Sequence, residues 1–286
     1  VESPNGMFDF NFFDVLNGLG VSANGIFKTS DGGNTFFNVQ TGSAEDVVYL
    51  TGSVAVGIVD GIFMRSSDSG TTWNSSVTAI ERKQLFAVAG DVLLAWGRTG
   101  NFPNYDDRIL RSTDGGLNFT DLGEVIPNGV FAFTVTNAQT VVASDFEGNM
   151  FFSPDAGLNW LQSFNSRGQQ PTFLSSAAPA FSNAIGYFGY GPGFIIKSTD
   201  SGASWFQISS GSGQSLNDVD RFPNGNMIAV GDNGTILTST GLSPWILHER
   251  FSQYHIKAVH VINQIEVVVV DETGQVYLST NAGTSW

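Results

Sequence analysis

One short segment recurs along this chain and constrains its fold more than any other feature. It reads SSDSGTTW at residues 66–73. Close copies occupy residues 29–36, 112–119, 153–160 and 198–205, and less similar copies occupy residues 239–245 and 279–286. The third residue of each copy is Asp31, Asp68, Asp114, Asp155, Asp200, Gly241 and Asn281, so the spacings are 37, 46, 41, 45, 41 and 40 residues. A repeat of this period made of short strands is typical of β-propellers, and seven copies predict seven blades.

Each copy is predicted to be a turn, because it follows one apolar run and its final aromatic residue begins another. The Asp carboxylate is expected to accept hydrogen bonds from backbone N–H groups ahead of it, and the closing aromatic side chain to pack between blades. The same groups recur in every blade, whereas a catalytic or calcium site would occur once. We therefore interpret the following residues as structural: Asp31, Asp68, Asp114, Asp155, Asp200, Trp73, Trp160, Trp205 and Trp286.

The pattern Ser/Thr-x-Asp-x-Gly-x-Ser/Thr/Asn-Trp/Phe resembles the Asp-box, or BNR, repeat. That repeat occurs in sialidases, in other glycoside hydrolases, in sortilin-type receptors and in propellers similar to photosystem II assembly factors. The resemblance implies one all-β domain over residues 1–286, a seven-bladed β-propeller. Each blade would have four antiparallel strands, A (innermost) to D, with the box between strands C and D. Because these families differ in activity, the resemblance indicates fold more than function.

Blade 2 shows the four-strand pattern most clearly. Its strands are predicted at residues 46–50, 54–59, 62–67 and 73–77, with Asp60 and Gly61 as a hairpin turn. The other strands A are predicted at residues 8–15, 84–89, 130–135, 172–176, 217–222 and 256–262. The seventh blade lacks a strand D after Trp286, and residues 1–6 resemble the segment that follows Trp205. We expect residues 1–6 to supply that strand; the alternative is a chain that continues past Trp286.

Composition excludes several classes of function. The chain has no cysteine, so disulfides, thiolate metal sites and cysteine nucleophiles are excluded. With 12 Lys and Arg against 26 Asp and Glu, the formal net charge is −14, which argues against nucleic acid and anionic membranes as partners. No apolar run approaches the ~20 residues of a membrane span. Low Lys with much Ser, Asn, Thr and Gly is typical of a secreted, periplasmic or cell-surface bacterial protein. No cofactor and no metal are expected.

The clearest departure from the repeat lies between strands B and C of blade 3. Residues 97–108 (GRTGNFPNYDDR) form a segment several residues longer than its counterparts, and we predict an irregular loop there. Function is often grafted onto such loops, although a tolerated insertion is the alternative. The predicted binding residues are Arg98, Asn101, Phe102, Asn104, Tyr105, Asp106 and Arg108, followed by Arg250, Tyr254 and His255 in blade 7. His255 and His260 are five residues apart in a strand, hence on opposite faces, which does not indicate a metal site.

Two classes of function remain open. We expect a non-catalytic, exported binding or scaffold propeller whose channel-mouth loops contact a protein or a glycan. It is expected to be a monomer or part of a larger chain or assembly. The alternative is a glycoside hydrolase or lyase that uses the strand A carboxylates Asp46, Asp218 and Asp220, which are otherwise solvated channel lining. A sialidase is disfavoured, because the first blade has no arginine and the Arg-Ile-Pro motif of that family is missing. The few, scattered arginines also argue against the role of the photosynthetic assembly factors.

Overall fold

The computed structural model describes residues 7–79, 81–101, 104–166, 180–182, 185–190, 193–240, 244–248 and 252–286. These residues form 27 β-strands and one 3-10 turn, so the fold is all-β, as predicted. Within this part of the chain, no helix has the length and apolar character needed to cross a membrane. The chain divides into two compact units. The first comprises Val1–Gly129, Asn137–Val141 and Ser153–Trp160; the second comprises Val130–Thr136, Val142–Phe152 and Leu161–Trp286.

The first unit contains three four-stranded sheets, in each of which consecutive strands are neighbours. Sheet 1 is β1 (Met7–Phe12), β2 (Gly18–Ser22), β3 (Gly25–Thr29) and β4 (Phe37–Thr41); sheet 2 is β5 (Ala44–Tyr49), β6 (Ala55–Val59), β7 (Ile62–Ser66) and β8 (Asn74–Ala79); sheet 3 is β9 (Glu81–Ala89), β10 (Val92–Asn101), β11 (Asn104–Ser112) and β12 (Thr120–Asp121). All five residues of β2 and all five of β6 are buried. Both faces of these second strands are therefore covered, and the core lies between facing sheets.

The second unit contains the strands of the remaining sheets, apart from Val141 and Ser153. Sheet 4 is β13 (Val130–Val135), β14 (Val141–Asp145), β15 (Met150–Ser153) and β16 (Leu161–Phe164); sheet 5 is β17 (Ala180–Ser182), β18 (Ile185–Tyr190), β19 (Phe194–Ser198) and β20 (Phe206–Ser209); sheet 6 is β21 (Leu216–Arg221), β22 (Met227–Gly231), β23 (Thr235–Ser239) and β24 (Ile246–Leu247); sheet 7 is β25 (Ile256–Val261), β26 (Val267–Asp271) and β27 (Val276–Ser279). The 3-10 turn Asp232–Gly234 links β22 to β23.

The prediction of seven four-stranded blades is wrong in one respect. Six sheets have four strands, and sheet 7 has three. In the described part of the chain, no strand pairs with the outer edge of β27. The segment predicted to fill that position, residues 1–6, lies outside the described residues. The predicted strand A at residues 172–176 also lies outside them.

The turns between the third and fourth strands share one hydrogen-bond network, and we call them the Asp turns. In sheet 2, Asp68 Oδ1 accepts the N–H of Thr72 at 2.8 Å, and Oδ2 accepts the Thr72 hydroxyl at 2.6 Å. The Ser66 hydroxyl donates to Asp68 Oδ1 at 2.8 Å and accepts the N–H of Gly70 at 2.8 Å. The hydrogen bond from the Thr72 hydroxyl is the largest reason why the pKa of Asp68 is far below its ordinary value.

The same network recurs around four other carboxylates, Asp31, Asp114, Asp155 and Asp200. It also recurs around Asn281, although the seventh copy is less similar in sequence. Asn281 Oδ1 accepts the N–H of Ser285 at 2.9 Å and the Ser279 hydroxyl at 3.0 Å. A carboxamide oxygen therefore replaces the carboxylate oxygen in this turn. The sixth copy includes residues 241–243, which lie outside the described residues.

The Asp turns of sheets 2, 3 and 4 are fixed to the sheets that precede them in the chain. In the turn of sheet 3, the aromatic residue also packs on the preceding sheet, because the ring of Phe119 stacks on that of Phe63, with ring centroids 4.0 Å apart. A basic side chain from the preceding third strand supplies a second link. Arg65 Nε donates to the carbonyl of Gly115 at 2.8 Å, and Arg111 Nε donates to that of Ala156 at 2.9 Å. In the same way, the Lys28 ammonium donates to the hydroxyl of Thr71 at 2.9 Å. Sequence reasoning missed this link. The available signal was that Lys28, Arg65 and Arg111 each stand three positions before the Asp of a repeat.

Candidate binding surface

The long segment of sheet 3 is a regular hairpin, so the prediction of an irregular loop is wrong. Strands β10 and β11 pair without interruption from Leu93 opposite Ser112 to Asn101 opposite Asn104. The neighbouring strand β9 pairs with β10 as far as Glu81, opposite Arg98, and residue 80 lies outside the described residues. Within the described residues, the last three residue pairs therefore form a two-stranded extension at the end of the sheet opposite its Asp turn. Residues inserted equally into both strands add new backbone partners, which is why the ladder continues.

The predicted binding residues of this hairpin differ in how the structure places them. Asp106 is exposed and lies opposite Thr99 in the ladder, within the extension. Arg108 lies below the extension, and its Nε is 2.8 Å from Asp121 Oδ2 on β12. The hydrogen bond and the charge of Asp121 raise the pKa of Arg108. Arg108 thus joins β11 to β12, which is a structural role. Phe102 lies outside the described residues, as do the side chains of four others: Arg98, Asn101, Asn104 and Tyr105.

A second polar surface occupies the corresponding end of sheets 6 and 7, around His255. Its Nδ1 lies 3.0 Å from Asp232 Oδ1 and 3.2 Å from the backbone nitrogen of Asn233. A protonated Nδ1 donates to the carboxylate, whereas a bare Nδ1 accepts the Asn233 N–H. The backbone of His255 is fixed to Glu272, because its N–H donates to Glu272 Oε1 at 3.1 Å and its carbonyl accepts the Glu272 N–H at 2.9 Å. On the ring, Nε2 lies 3.9 Å from Glu272 Oε2, so the imidazole lies between the carboxylates of Asp232 and Glu272.

Amide side chains extend this network into the sheet. The buried Asn217 donates through Nδ2 to the carbonyl of Ile256 at 2.6 Å and to Asp232 Oδ1 at 3.3 Å. Asn233 Nδ2 donates to Gln214 Oε1 at 2.7 Å. Sequence reasoning did not find these amides, because their partners are distant in the chain.

Of the residues predicted in blade 7, the structure places two on this surface. Tyr254 is exposed beside His255, and its N–H donates to the Ser252 hydroxyl at 3.0 Å. Arg250 lies outside the described residues. The described residues contain no group of three or more His, Asp or Glu side chains that could hold a metal ion.

Asp218 and Asp220 hold β21 of sheet 6 to β25 of sheet 7, which differs from the predicted solvated lining. Asp218 Oδ2 accepts the N–H of Val259 on β25 at 2.9 Å, and Asp220 Oδ2 accepts that of Val261 at 2.7 Å. The other oxygens accept the N–H groups of the next residues in β21, at 2.8 and 2.6 Å. Asp46 Oδ1 likewise accepts the N–H of Val47 at 2.7 Å.

Burial is the largest influence on Asp218 and raises its pKa to about 6, although hydrogen bonds from Val259 and Val219 act in the opposite direction. Asp220 lies 3.5 Å from His260 Nδ1, on an imidazole that is 79% exposed. Both carboxylate oxygens of Asp218 and of Asp220 accept hydrogen bonds from backbone N–H groups. These two side chains are therefore poorly placed to exchange protons with a substrate.

Comparison with known proteins identifies the fold and no family. No family model matches the chain, and no curated protein matches it. Among solved structures, YCF48 bound to a D1 peptide is similar, with 16% identity and a TM-score of 0.64 over 96% of this chain and 93% of that one. YCF48 from Cyanidioschyzon merolae has 14% identity and a TM-score of 0.63 over 98% and 96%. The GH74 xyloglucanase from Xanthomonas campestris has 15% identity and a TM-score of 0.64 over 98% and 53%. The chain is an all-β β-propeller of small antiparallel sheets.

Proposed function

We propose that this chain is a non-catalytic binding or scaffold propeller whose partner is a protein. The observation that carries the proposal is the two-stranded extension of sheet 3. Strands β10 and β11 have 10 and 9 residues, whereas the second and third strands of the other sheets have 4 to 6. Among the described residues, β9 pairs with β10 only as far as Glu81, and no strand is paired with the extension beyond that point, where alternate backbone N–H and C=O groups face away from the hairpin.

An open strand edge favours a protein partner over a glycan. A partner segment in extended conformation can add to such an edge, with main-chain hydrogen bonds giving affinity and flanking side chains giving specificity. The similar YCF48 structure is bound to a D1 peptide, which gives a precedent for peptide binding on this fold. The hydrolase or lyase alternative has less support, because Asp218 and Asp220 are engaged by backbone donors.

Two further parts of the proposal rest on sequence together with local geometry. We infer that the Asp turns are Asp-boxes, because the pattern Ser/Thr-x-Asp-x-Gly and a shared hydrogen-bond network coincide in five turns. Composition supports a location outside the cytoplasm, at the cell surface, in the periplasm or secreted. Under this proposal the protein needs no cofactor.

Shortening the hairpin tests the proposal. Residues 99–106 are replaced by Asp-Gly, copied from Asp60 and Gly61, whose positive φ angles of 50° and 72° close the hairpin of sheet 2. The graft leaves Arg98 opposite Asp107 as the last pair, so the pairing with β9 is retained. Peptide and glycan arrays identify ligands of the unmodified protein, and their affinities are then measured for the graft.

We expect the graft to melt normally and to bind its peptide ligands at least tenfold more weakly, which corresponds to about 1.4 kcal/mol. The control is Leu117→Thr, which changes an exposed side chain at the opposite end of the same sheet. Peptide affinity that survives in the graft would contradict the proposal. Turnover of a glycan on the array would instead favour the hydrolase alternative.

A further inference from the structure

The turn between β1 and β2 presents apolar side chains to solvent, and we call residues 13–16 the apolar turn. Val15 is 87% exposed, and Leu16 and Phe13 are each 52% exposed. Single exposed apolar residues are common on protein surfaces, but several adjacent ones are a feature of interaction sites. This turn lies at the Asp-turn end of sheet 1, because the carbonyl of Leu16 accepts the N–H of Gly32 at 2.9 Å.

Hydrogen bonds hold the apolar turn in one conformation. Asp14 Oδ1 accepts the N–H groups of Leu16 and Asn17, both at 2.8 Å. The Asn17 amide donates to the two oxygens of Asp14 at 3.0 and 2.9 Å, and the N–H of Phe13 donates to the Asn17 carbonyl at 2.9 Å. The bonds from Asn17 are the largest reason why the pKa of Asp14 is lowered, so this carboxylate is ionised at neutral pH. The exposed side chains are therefore displayed on a fixed backbone.

The first unit contains turns that serve as internal controls. In sheets 2, 3 and 4, the same backbone hydrogen bond runs from the Asp turn to the carbonyl of Ser53, Asp91 and Gln139. These three residues occupy the position of Leu16. The residues that precede them, Gly52, Gly90 and Ala138, occupy the position of Val15 and are small. Small and polar residues thus build this turn equally well, so folding does not require Val15 and Leu16.

We propose that the apolar turn docks a segment of a partner protein that carries apolar side chains flanked by Lys or Arg. The apolar part of the segment covers Val15 and Leu16. The charge of the turn determines the flanks of the segment, because Asp14 lies within the turn, outside the Asp-turn repeat, and its carboxylate is ionised. A carboxylate beside an apolar patch attracts a basic segment and repels an anionic lipid surface. This site goes beyond the proposed function, because the long hairpin lies at the other end of the sheets.

The test uses three synthetic peptides of equal length. The first contains Leu and Lys in a helical repeat, the second has Glu in place of Lys, and the third has Ser in place of Leu. Their affinities are measured by isothermal titration calorimetry for the unmodified chain and for Val15→Gly with Leu16→Ser, which copies the turn of sheet 2. Leu117→Thr is the matched control, because it removes an exposed apolar side chain from the Asp turn of sheet 3 and copies Thr71.

We expect the Leu/Lys peptide to bind the unmodified chain and the control equally, and the double variant at least tenfold more weakly. The Leu/Glu and Ser/Lys peptides should both bind weakly to every form. If the double variant fails to fold, Val15→Ser alone replaces a side chain that is 87% exposed, and it should weaken binding in the same direction.

Three results would overturn the proposal. One is unchanged affinity of the Leu/Lys peptide for a variant that melts normally. Another is equal binding of the Leu/Glu peptide, which would remove the argument from charge. The third is evidence that something other than a peptide covers the turn. The unmodified chain would then sediment with phosphatidylcholine vesicles or dimerise as its concentration rises. The double variant would lose that behaviour but keep its affinity for the peptide.

Discussion

Replacing Gly116 with Ala should reveal how tightly the Asp turn of sheet 3 packs against sheet 2. Gly116 has a φ of +81°, and a Cβ built there would lie 2.6 Å from Val56 Cγ2 and 3.2 Å from Leu93 Cδ1. Gly123, in the same sheet, has a φ of +80°, and its Cβ would meet no atom within 4 Å. The two glycines therefore share their backbone conformation and differ in their surroundings.

The magnitudes follow from this difference. An alanine at either position must adopt the left-handed conformation, which lowers the free energy of unfolding by about 1 kcal/mol. At Gly116 the methyl group also overlaps buried Val56, and overpacking of a core adds about 1–3 kcal/mol. We expect Gly123→Ala to lower the free energy of unfolding by about 1 kcal/mol and Gly116→Ala by about 2–4 kcal/mol.

Urea unfolding of both variants measures the difference, and a double-mutant cycle with Val56→Ala assigns it. Removing the two Val56 methyl groups opens the space that the new Cβ needs. The coupling energy between Gly116→Ala and Val56→Ala should therefore be at least about 1 kcal/mol in the compensating direction. Equal costs for Gly116→Ala and Gly123→Ala, or the absence of coupling to Val56, would refute the packing of this turn against sheet 2.

Two other predictions concern charged side chains. In urea unfolding, Arg65→Met should lower the free energy of unfolding by about 1–2 kcal/mol, because the Gly115 carbonyl loses a charged donor. Arg108→Met should lower it by less than about 1 kcal/mol, because the ion pair of Arg108 with Asp121 is partly exposed. The reverse order would contradict the structural role of Arg65. Burial raises the pKa of Asp218 to about 6, so its contribution to stability is present near pH 4 and is lost as the pH rises through 6. In Asp218→Asn, the free energy of unfolding should depend less on pH over that range. If melts at several pH values show the same dependence in the variant, other groups cause it.

The strands could be predicted from sequence because their signals are local. Alternating apolar residues bounded by Gly, Asn and Asp predicted strand A of sheet 4 at residues 130–135, where the structure has Val130–Val135. They predicted residues 217–222 and 256–262, where the structure has Leu216–Arg221 and Ile256–Val261. The prediction of a strand at residues 8–15 is wrong at its end, because β1 ends at Phe12 and the apolar turn follows. Apolar residues that form a turn resemble a strand in sequence.

The binding surfaces could be predicted less well because they depend on pairing between distant residues. Gly100, Asn101 and Asn104 are residue types typical of loops, yet they belong to a continuous β-ladder. The register of that ladder could not be predicted from the local sequence. The alternation of Asp218 and Asp220 correctly placed both on one face of a strand. It could not reveal that the N–H groups of Val259 and Val261, 41 residues away, occupy their oxygens.

Part of the negative charge of this chain belongs to the repeat and requires no cationic ligand. Five Asp turns contain a carboxylate, and hydrogen bonds lower the pKa of Asp31 and Asp68. The matching cations are used between sheets, where Arg65 and Arg111 bond to turn carbonyls. Features that the repeat does not require are therefore better indicators of function than the net charge. In the first unit these are the extension of sheet 3 and the apolar turn, at opposite ends of their sheets. Two partners bound there would not compete, and that independence is what a scaffold requires.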